Sequence, residues 1–307
     1  MLTVYIADRE SGASVFDNIL GACNCGGVPQ YEVSASALSE KKEYQTHWQM
    51  NAEHYEKQGC YDWMAAQLDE LAPRRVLDIG CGAGQGIRAL YRRFGCEILA
   101  LDENIECLRK SASGVRREGM KAQLVERFTY IALPGNRHAI AVDQTPISAS
   151  RQAVLVQGDP LLDDQLLFSY IRSKAPFDAL TIWLCGTFNI RRTCANLDGF
   201  DIGGPNEYRL HVQNKTYTLA AELLRSGGVL HVVDRGEVPA TEELRESFLD
   251  SHREQASDTD IEVLDINYRL YNDLERKGVR MVVTYGSSGR VGDMSQLAML
   301  SVRSRKP

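Results

Sequence analysis

Four glycines at alternate positions directly after an apolar strand set the terms for this chain. The run Arg75–Gly86 reads RVLDIGCGAGQG: Val76–Ile79 is the strand, Gly80, Gly82, Gly84 and Gly86 follow, and a helical pattern occupies Ile87–Phe94. Without a Cβ the backbone can turn tightly and approach a ligand closely, and the helix start behind the loop offers unpaired amides. Asp78 adds a carboxylate at the end of the strand. A pyrophosphate-binding G-x-G-x-x-G fits in neither register, because the sixth position is Gln85 counted from Gly80 and Ile87 counted from Gly82.

Charge sharpens the choice. A carboxylate at Asp78 repels a pyrophosphate and suits a cation. S-adenosylmethionine carries an ammonium and a sulfonium and no phosphate, so it is the expected cofactor, and a nicotinamide dehydrogenase is disfavoured. The residues expected around it are Asp78, Gly80, Cys81, Gly82, Ala83 and Gly84, together with Asp102, Glu103, Gly158, Asp159 and Leu184 at the ends of later strands.

The rest of the chain alternates as strands and helices do in a parallel sheet covered on both faces. Strands are expected at Ile98–Leu101, Val154–Gln157, Ala179–Leu184, Val229–Val233, Val279–Tyr285 and Leu297–Arg303, the last two antiparallel across a Gly/Ser loop. Helices are expected at Ile105–Arg117, Leu166–Ser173, Tyr208–Leu224 (stopped by Gly227-Gly228) and Glu242–His252, with another running to Lys277. Arg127–Leu133 and His138–Asp143 flank Pro134-Gly135-Asn136 as an inserted hairpin. Residues 1–44 form a loop-rich extension, with a short strand at Leu2–Ala7; a helical lid occupies 45–72, its first helix capped by Ser39 and its second spanning Tyr61–Leu71. Insertions fall near 120–150 and 185–210.

The segment D-x-G-x-G-x-G after an apolar strand resembles the first motif of the class I methyltransferase family. By order of elements the resemblance covers residues 60–305; in detail it rests on four places. These are the glycine loop, ILALDEN at Ile98–Asn104, VLVQGDP at Val154–Pro160 and LLRSGGVLHVV at Leu223–Val233. It implies a seven-stranded, mostly parallel, doubly wound α/β sheet with a terminal antiparallel pair. It also implies that Asp102, twenty residues beyond Gly82, accepts from the ribose hydroxyls and that Asp159 accepts from the adenine amino group. Pro160 departs from the family pattern, having no N–H to offer the ring. Without a ligand, Asp102 reads as a helix N-cap and Asp159 as a turn residue.

The acceptor is less visible. A net charge of −6 and only short basic runs (Arg116-Arg117, Arg191-Arg192) argue against general nucleic-acid binding. No Asn-Pro-Pro-Tyr-like motif stands at Leu184–Phe188, which lowers the case for a base acceptor. Asp178 and Asp234 do not make a metal set, so no metal is expected. A small-molecule acceptor is the expectation; a protein or RNA acceptor, or a non-catalytic cofactor-binding sensor or scaffold, is the alternative. Candidate bases are His47, His54, Tyr55 and His211, with His231 read as a core histidine and Arg191-Arg192 as surface. The eight cysteines read as reduced thiols of a cytoplasmic protein, MLTVYIADRE does not read as a signal peptide, no apolar run reaches membrane-spanning length, and a homodimer is open.

Overall fold

A computed structural model describes residues 2–3, 31–185, 189–274 and 296–307. Among them the main sheet has eight strands, in the order β4-β7-β3-β2-β8-β9-β11-β10. These are β2 (Arg75–Ile79), β3 (Glu97–Asp102), β4 (Ala122–Val125), β7 (Ala153–Gln157), β8 (Phe177–Trp183), β9 (Leu224–Glu237), β10 (Glu262–Tyr271) and β11 (Leu297–Arg305). β4 to β9 run parallel along the sheet, and β11 is antiparallel to both β9 and β10. Apart from the edge strand β4, this is the Rossmann-like arrangement that the resemblance implies.

The central strands are apolar on successive residues because both faces are covered. Leu77, Ile79, Leu99, Leu101, Val154 and Leu180 point to a core shared with α5 (Gln165–Lys174) and α6 (Pro205–Leu223). Val76, Ile98, Ala100, Leu155 and Ala179 point to the opposite core, built with α1 (Ala35–Lys57), α2 (Cys60–Ala66), α3 (Gln85–Phe94) and α4 (Ile105–Arg117). The chain leaves β2 towards β3 and β7, then returns across it to β8. Strand order therefore reverses at β2–β8, and the crevice at these carboxyl ends is where such sheets bind ligands.

The expected hairpin is present as β5 (Phe128–Leu133) and β6 (Arg137–Asp143), paired antiparallel, with β1 (Leu2–Thr3) adding to the outer edge of β6. The rest of the expected Leu2–Ala7 strand lies outside the described residues.

Several boundaries differ from expectation. The first helix starts at Ala35, and Ser34, not Ser39, caps it by accepting from the Ala37 amide at 3.3 Å. The second is shorter and ends at Ala66. α6 ends at Leu223, and Gly227-Gly228 lie inside β9 instead of stopping a helix. α7 (Glu242–Ala256) extends one turn beyond His252. Residues 262–271, expected as part of a helix, form β10, which pairs antiparallel with β11 along its length, with one irregularity between Val263 and Asp265, and buries Ile266 against α7. The expected Val279–Tyr285 strand lies outside the described residues. Residues 189–197 contain two 3₁₀ turns within the expected long loop.

Candidate functional site

A cavity opens at the carboxyl ends of β2, β3, β7 and β8. Its floor is Ile79, Gly80, Gly82 and Leu101; Asp102 and Glu103, Gly158 and Asp159, and Leu184 and Cys185 enter from the three neighbouring strand ends. Its roof is Tyr44 and Trp48 of α1 with Tyr208 and Val212 of α6. Seven of the residues expected from the sequence thus meet around one space: Gly80, Gly82, Asp102, Glu103, Gly158, Asp159 and Leu184.

The others sit behind it. Asp78 is buried and turned to β8, accepting from Thr181 Oγ1 at 2.6 Å; burial pushes its carboxyl up to about 6 against that bond. Cys81 and Ala83 are buried under the lid, and Gly84 lies against Ser111 of α4, where a Cβ would collide. Gly82 is held at φ +52°, and a Cβ on it would run into the Trp48 indole nitrogen. Here the absence of a side chain is what lets α1 close over the loop.

Asp102 is tied from both sides. Oδ2 accepts the Gly82 amide at 2.8 Å and Oδ1 accepts the Asn104 amide at 2.8 Å. The cap of α4 is Asn104, which accepts from the Glu106 amide at 3.0 Å, so the cap role falls two residues later than Asp102. Burial, followed by the neighbouring Glu103 charge, lifts the Asp102 carboxyl to about 7.

A buried charge network fills the next position. Lys41 of α1 is paired with Glu103 and lies 4.7 Å above the Tyr130 ring. Arg191 reaches both Asp159 (Nη1 to Oδ2, 2.6 Å) and Glu103 (Nη2 to Oε1, 3.2 Å). Burial alone would raise Glu103, but Arg191 and Lys41 outweigh it and hold the carboxyl below its usual range. Burial lowers the Lys41 ammonium more than Glu103 raises it. Asp159 also accepts the Leu161 amide at 2.9 Å and the Tyr208 hydroxyl at 3.2 Å. Arg191, expected on the surface, is therefore a cavity-side residue, because only a cation can compensate carboxylates arriving from two strand ends. Arg192 is exposed as expected.

None of the four candidate bases lines the cavity. His47 is exposed. His54 Nε2 lies 2.8 Å from the Asn272 carbonyl, and the Tyr55 hydroxyl donates to Asp273 at 3.2 Å, so both serve the packing of α1 on the end of β10. His211 stacks edge-on against Phe200 in a separate groove between α5 and α6. His231 is a satisfied core histidine: Trp183 Nε1 donates to Nδ1 at 3.0 Å, Nε2 meets Ser301 Oγ at 2.8 Å, and burial drives its pKa down to about 3.

Asp178 accepts the Arg74 and Arg75 amides at the far end of the sheet. Among the described residues no three His, Cys, Asp or Glu groups are placed to hold a metal ion, and no helix is long and apolar enough to cross a membrane. The six described cysteines are free thiols; Cys23 and Cys25 lie outside the described residues.

Sequence reasoning missed Lys41, Tyr44, Cys107, Arg191 and Tyr208. A signal existed for the first two: Lys41, Tyr44 and Trp48 recur at i, i+3, i+7 and so share one helix face.

No family model and no curated protein sequence matches the chain. Solved structures are similar in part. One, described for the conversion of a disulfide bond into a thioacetal group during echinomycin biosynthesis, is 13% identical, with 79% of this chain and 80% of that one covered and a TM-score of 0.43. TehB from Haemophilus influenzae is 12% identical over 80% of this chain and 62% of that one, with a TM-score of 0.41. An rRNA methylase from Streptococcus thermophilus is 15% identical over 80% and 93%, with a TM-score of 0.37. At these values the likenesses decide neither activity nor substrate, and the functional reading rests on the cavity itself.

Proposed function

We propose that this chain is an S-adenosylmethionine-dependent methyltransferase acting on a small-molecule acceptor. The carrying observation is the charge of the cavity beside the glycine loop. Asp102, Glu103 and Asp159 stand against Lys41 and Arg191, which leaves one negative charge when all are ionised. S-adenosylmethionine has one net positive charge, whereas a dinucleotide would bring its pyrophosphate to three carboxylates. The cavity is concave, and its roof of Tyr44, Trp48, Tyr208 and Val212 favours a small acceptor over a macromolecular one.

When bound, the cofactor supplies an electrophilic methyl group. The chain's own part is positioning. Asp102, fixed by the Gly82 and Asn104 amides, retains lone pairs to accept from a ribose diol. Tyr44 and Trp48 shield the loop from water. Burial pushes the Cys185 thiol up to about 12, so it stays protonated at neutral pH and is not a base. No histidine lines the described cavity, which favours an acceptor that is nucleophilic without help.

Isothermal calorimetry tests this. The protein should bind S-adenosylmethionine and not NADH; the reverse result sinks the reading. Asp102→Ala should weaken binding by about 1–3 kcal/mol, the worth of a hydrogen bond to a charged group.

Binding should also depend on pH. A cation next to Asp102 favours its ionised form, so binding expels a proton wherever the free protein holds one. With the free carboxyl at about 7, affinity should be flat above pH 8 and fall about tenfold from pH 8 to pH 6. Asp102→Asn should abolish that slope; a slope that survives the substitution assigns it to another group.

A further inference from the structure

Arg191 is 3% exposed, yet none of its guanidinium nitrogens has a hydrogen-bond partner. Asp159 and Glu103 are near enough for ion pairing but lie off the N–H axes, and the Tyr208 ring packs 4.9 Å from the guanidinium carbon. The cation is therefore held by charge without directed bonds, an expensive state for a buried guanidinium. Each carboxylate keeps another partner if Arg191 departs. Glu103 keeps Lys41, and Asp159 keeps the Leu161 amide and the Tyr208 hydroxyl. Asp159 has no exposed side-chain surface in this arrangement, so it cannot also receive a ligand.

We propose that Arg191 is an internal latch that occupies the Asp159 end of the cavity and gives way when an adenine amino group donates to Asp159. This rests on the reading of the cavity as an S-adenosylmethionine site. The incoming group is a directed donor replacing an undirected one, and the displaced guanidinium regains hydration. The segment behind Arg191 is anchored further along: Asn196 exchanges two hydrogen bonds with the Ile140 backbone of β6, at 2.6 and 3.1 Å, and Arg137 pairs with Asp198. Release therefore frees the 189–193 turn, which follows the Cys185 end of β8, while 196–198 stay in place. Donor binding thereby reshapes the wall next to the acceptor.

Calorimetry with S-adenosylmethionine on the wild type, Arg191→Ala and Arg191→Gln tests the latch. Removing an internal competitor should tighten binding about fivefold or more, because the binding-competent fraction rises. Arg191→Gln covers the case in which the alanine variant does not fold. Hydrogen exchange on the wild type gives a second readout: cofactor should speed exchange of the 191–193 amides and leave 196–198 unchanged. Unchanged or weakened affinity in a folded variant, or slowed exchange at 191–193, overturns the latch while leaving the cofactor reading intact. Absence of binding in wild type and variants alike overturns the cofactor reading, and the latch with it.

Discussion

Gly82→Ala should weaken S-adenosylmethionine binding about 100-fold or more, close to 3 kcal/mol, while the chain stays folded. Two costs combine. At φ +52° a residue with a Cβ loses about 1–2 kcal/mol. The new methyl group also runs into the indole nitrogen of Trp48, a rigid side chain with 5% exposure and no room to retreat. Relief by moving the loop pulls the Gly82 amide from Asp102, the group assigned to the ribose; relief by moving Trp48 lifts α1 off the cavity. The Trp48→Ala background separates the two costs. The double variant should bind more tightly than Gly82→Ala alone, because only the backbone cost remains. Equal affinities for Gly82→Ala and the wild type would mean that α1 does not close over the loop.

The parts of the fold that were legible in the sequence are those where both faces of an element are buried or a turn has special chemistry. Val76–Ile79 and Val154–Gln157 are continuous apolar runs because helices cover both sides, and Gly135 and Asn136 take φ +72° and +57° between β5 and β6. β4 and β10 were not legible, for a shared reason: they are the sheet's edges among the described residues. Every residue of β4 is half-buried, so no alternation marks it, and β10 mixes Glu262, Asp265 and Arg269 with exposed Leu264 and Leu270. Its register is fixed from outside the segment, by β11 and by the Asp265–Arg303 ion pair.

The site divides in the same way. The glycine loop and the strand-end acids follow from local pattern. The candidate bases were chosen by residue type, and helix geometry disposes of them: His47 is one position off the face carrying Tyr44 and Trp48, and so points to solvent. Arg191 stands in a segment without periodicity. Its burial follows from two carboxylates more than thirty residues upstream in sequence, which no local window contains.

The second large effect concerns stability. Arg127→Met should lower the unfolding free energy by about 3–5 kcal/mol. Arg127 and Asp164 have side chains 1% and 2% exposed, and Nη2 lies 2.8 and 2.9 Å from the two carboxylate oxygens. Removing the cation leaves a carboxylate in the core with only the Leu167 amide, 3.0 Å away at the start of α5, to compensate it. Beside the pair, the backbone also fastens the hairpin to the sheet, since the Arg127 and Phe128 amides both donate to Gln157 Oε1 at 3.0 Å at the end of β7. Arg127→Met combined with Asp164→Ser removes both charges and keeps an oxygen to cap α5, so its loss should fall to about 1–2 kcal/mol, less than that of Arg127→Met alone. Urea midpoints at constant slope measure both. A double variant less stable than Arg127→Met would mean that the pair contributes net attraction beyond the cost of an orphaned charge. In that event the hairpin, whose Tyr130 hydroxyl donates to the Glu103 carbonyl at 3.2 Å and whose ring supports Lys41, is held to the cavity chiefly by electrostatics, and because the Arg127–Asp164 pair is buried, added salt should shift the midpoints little.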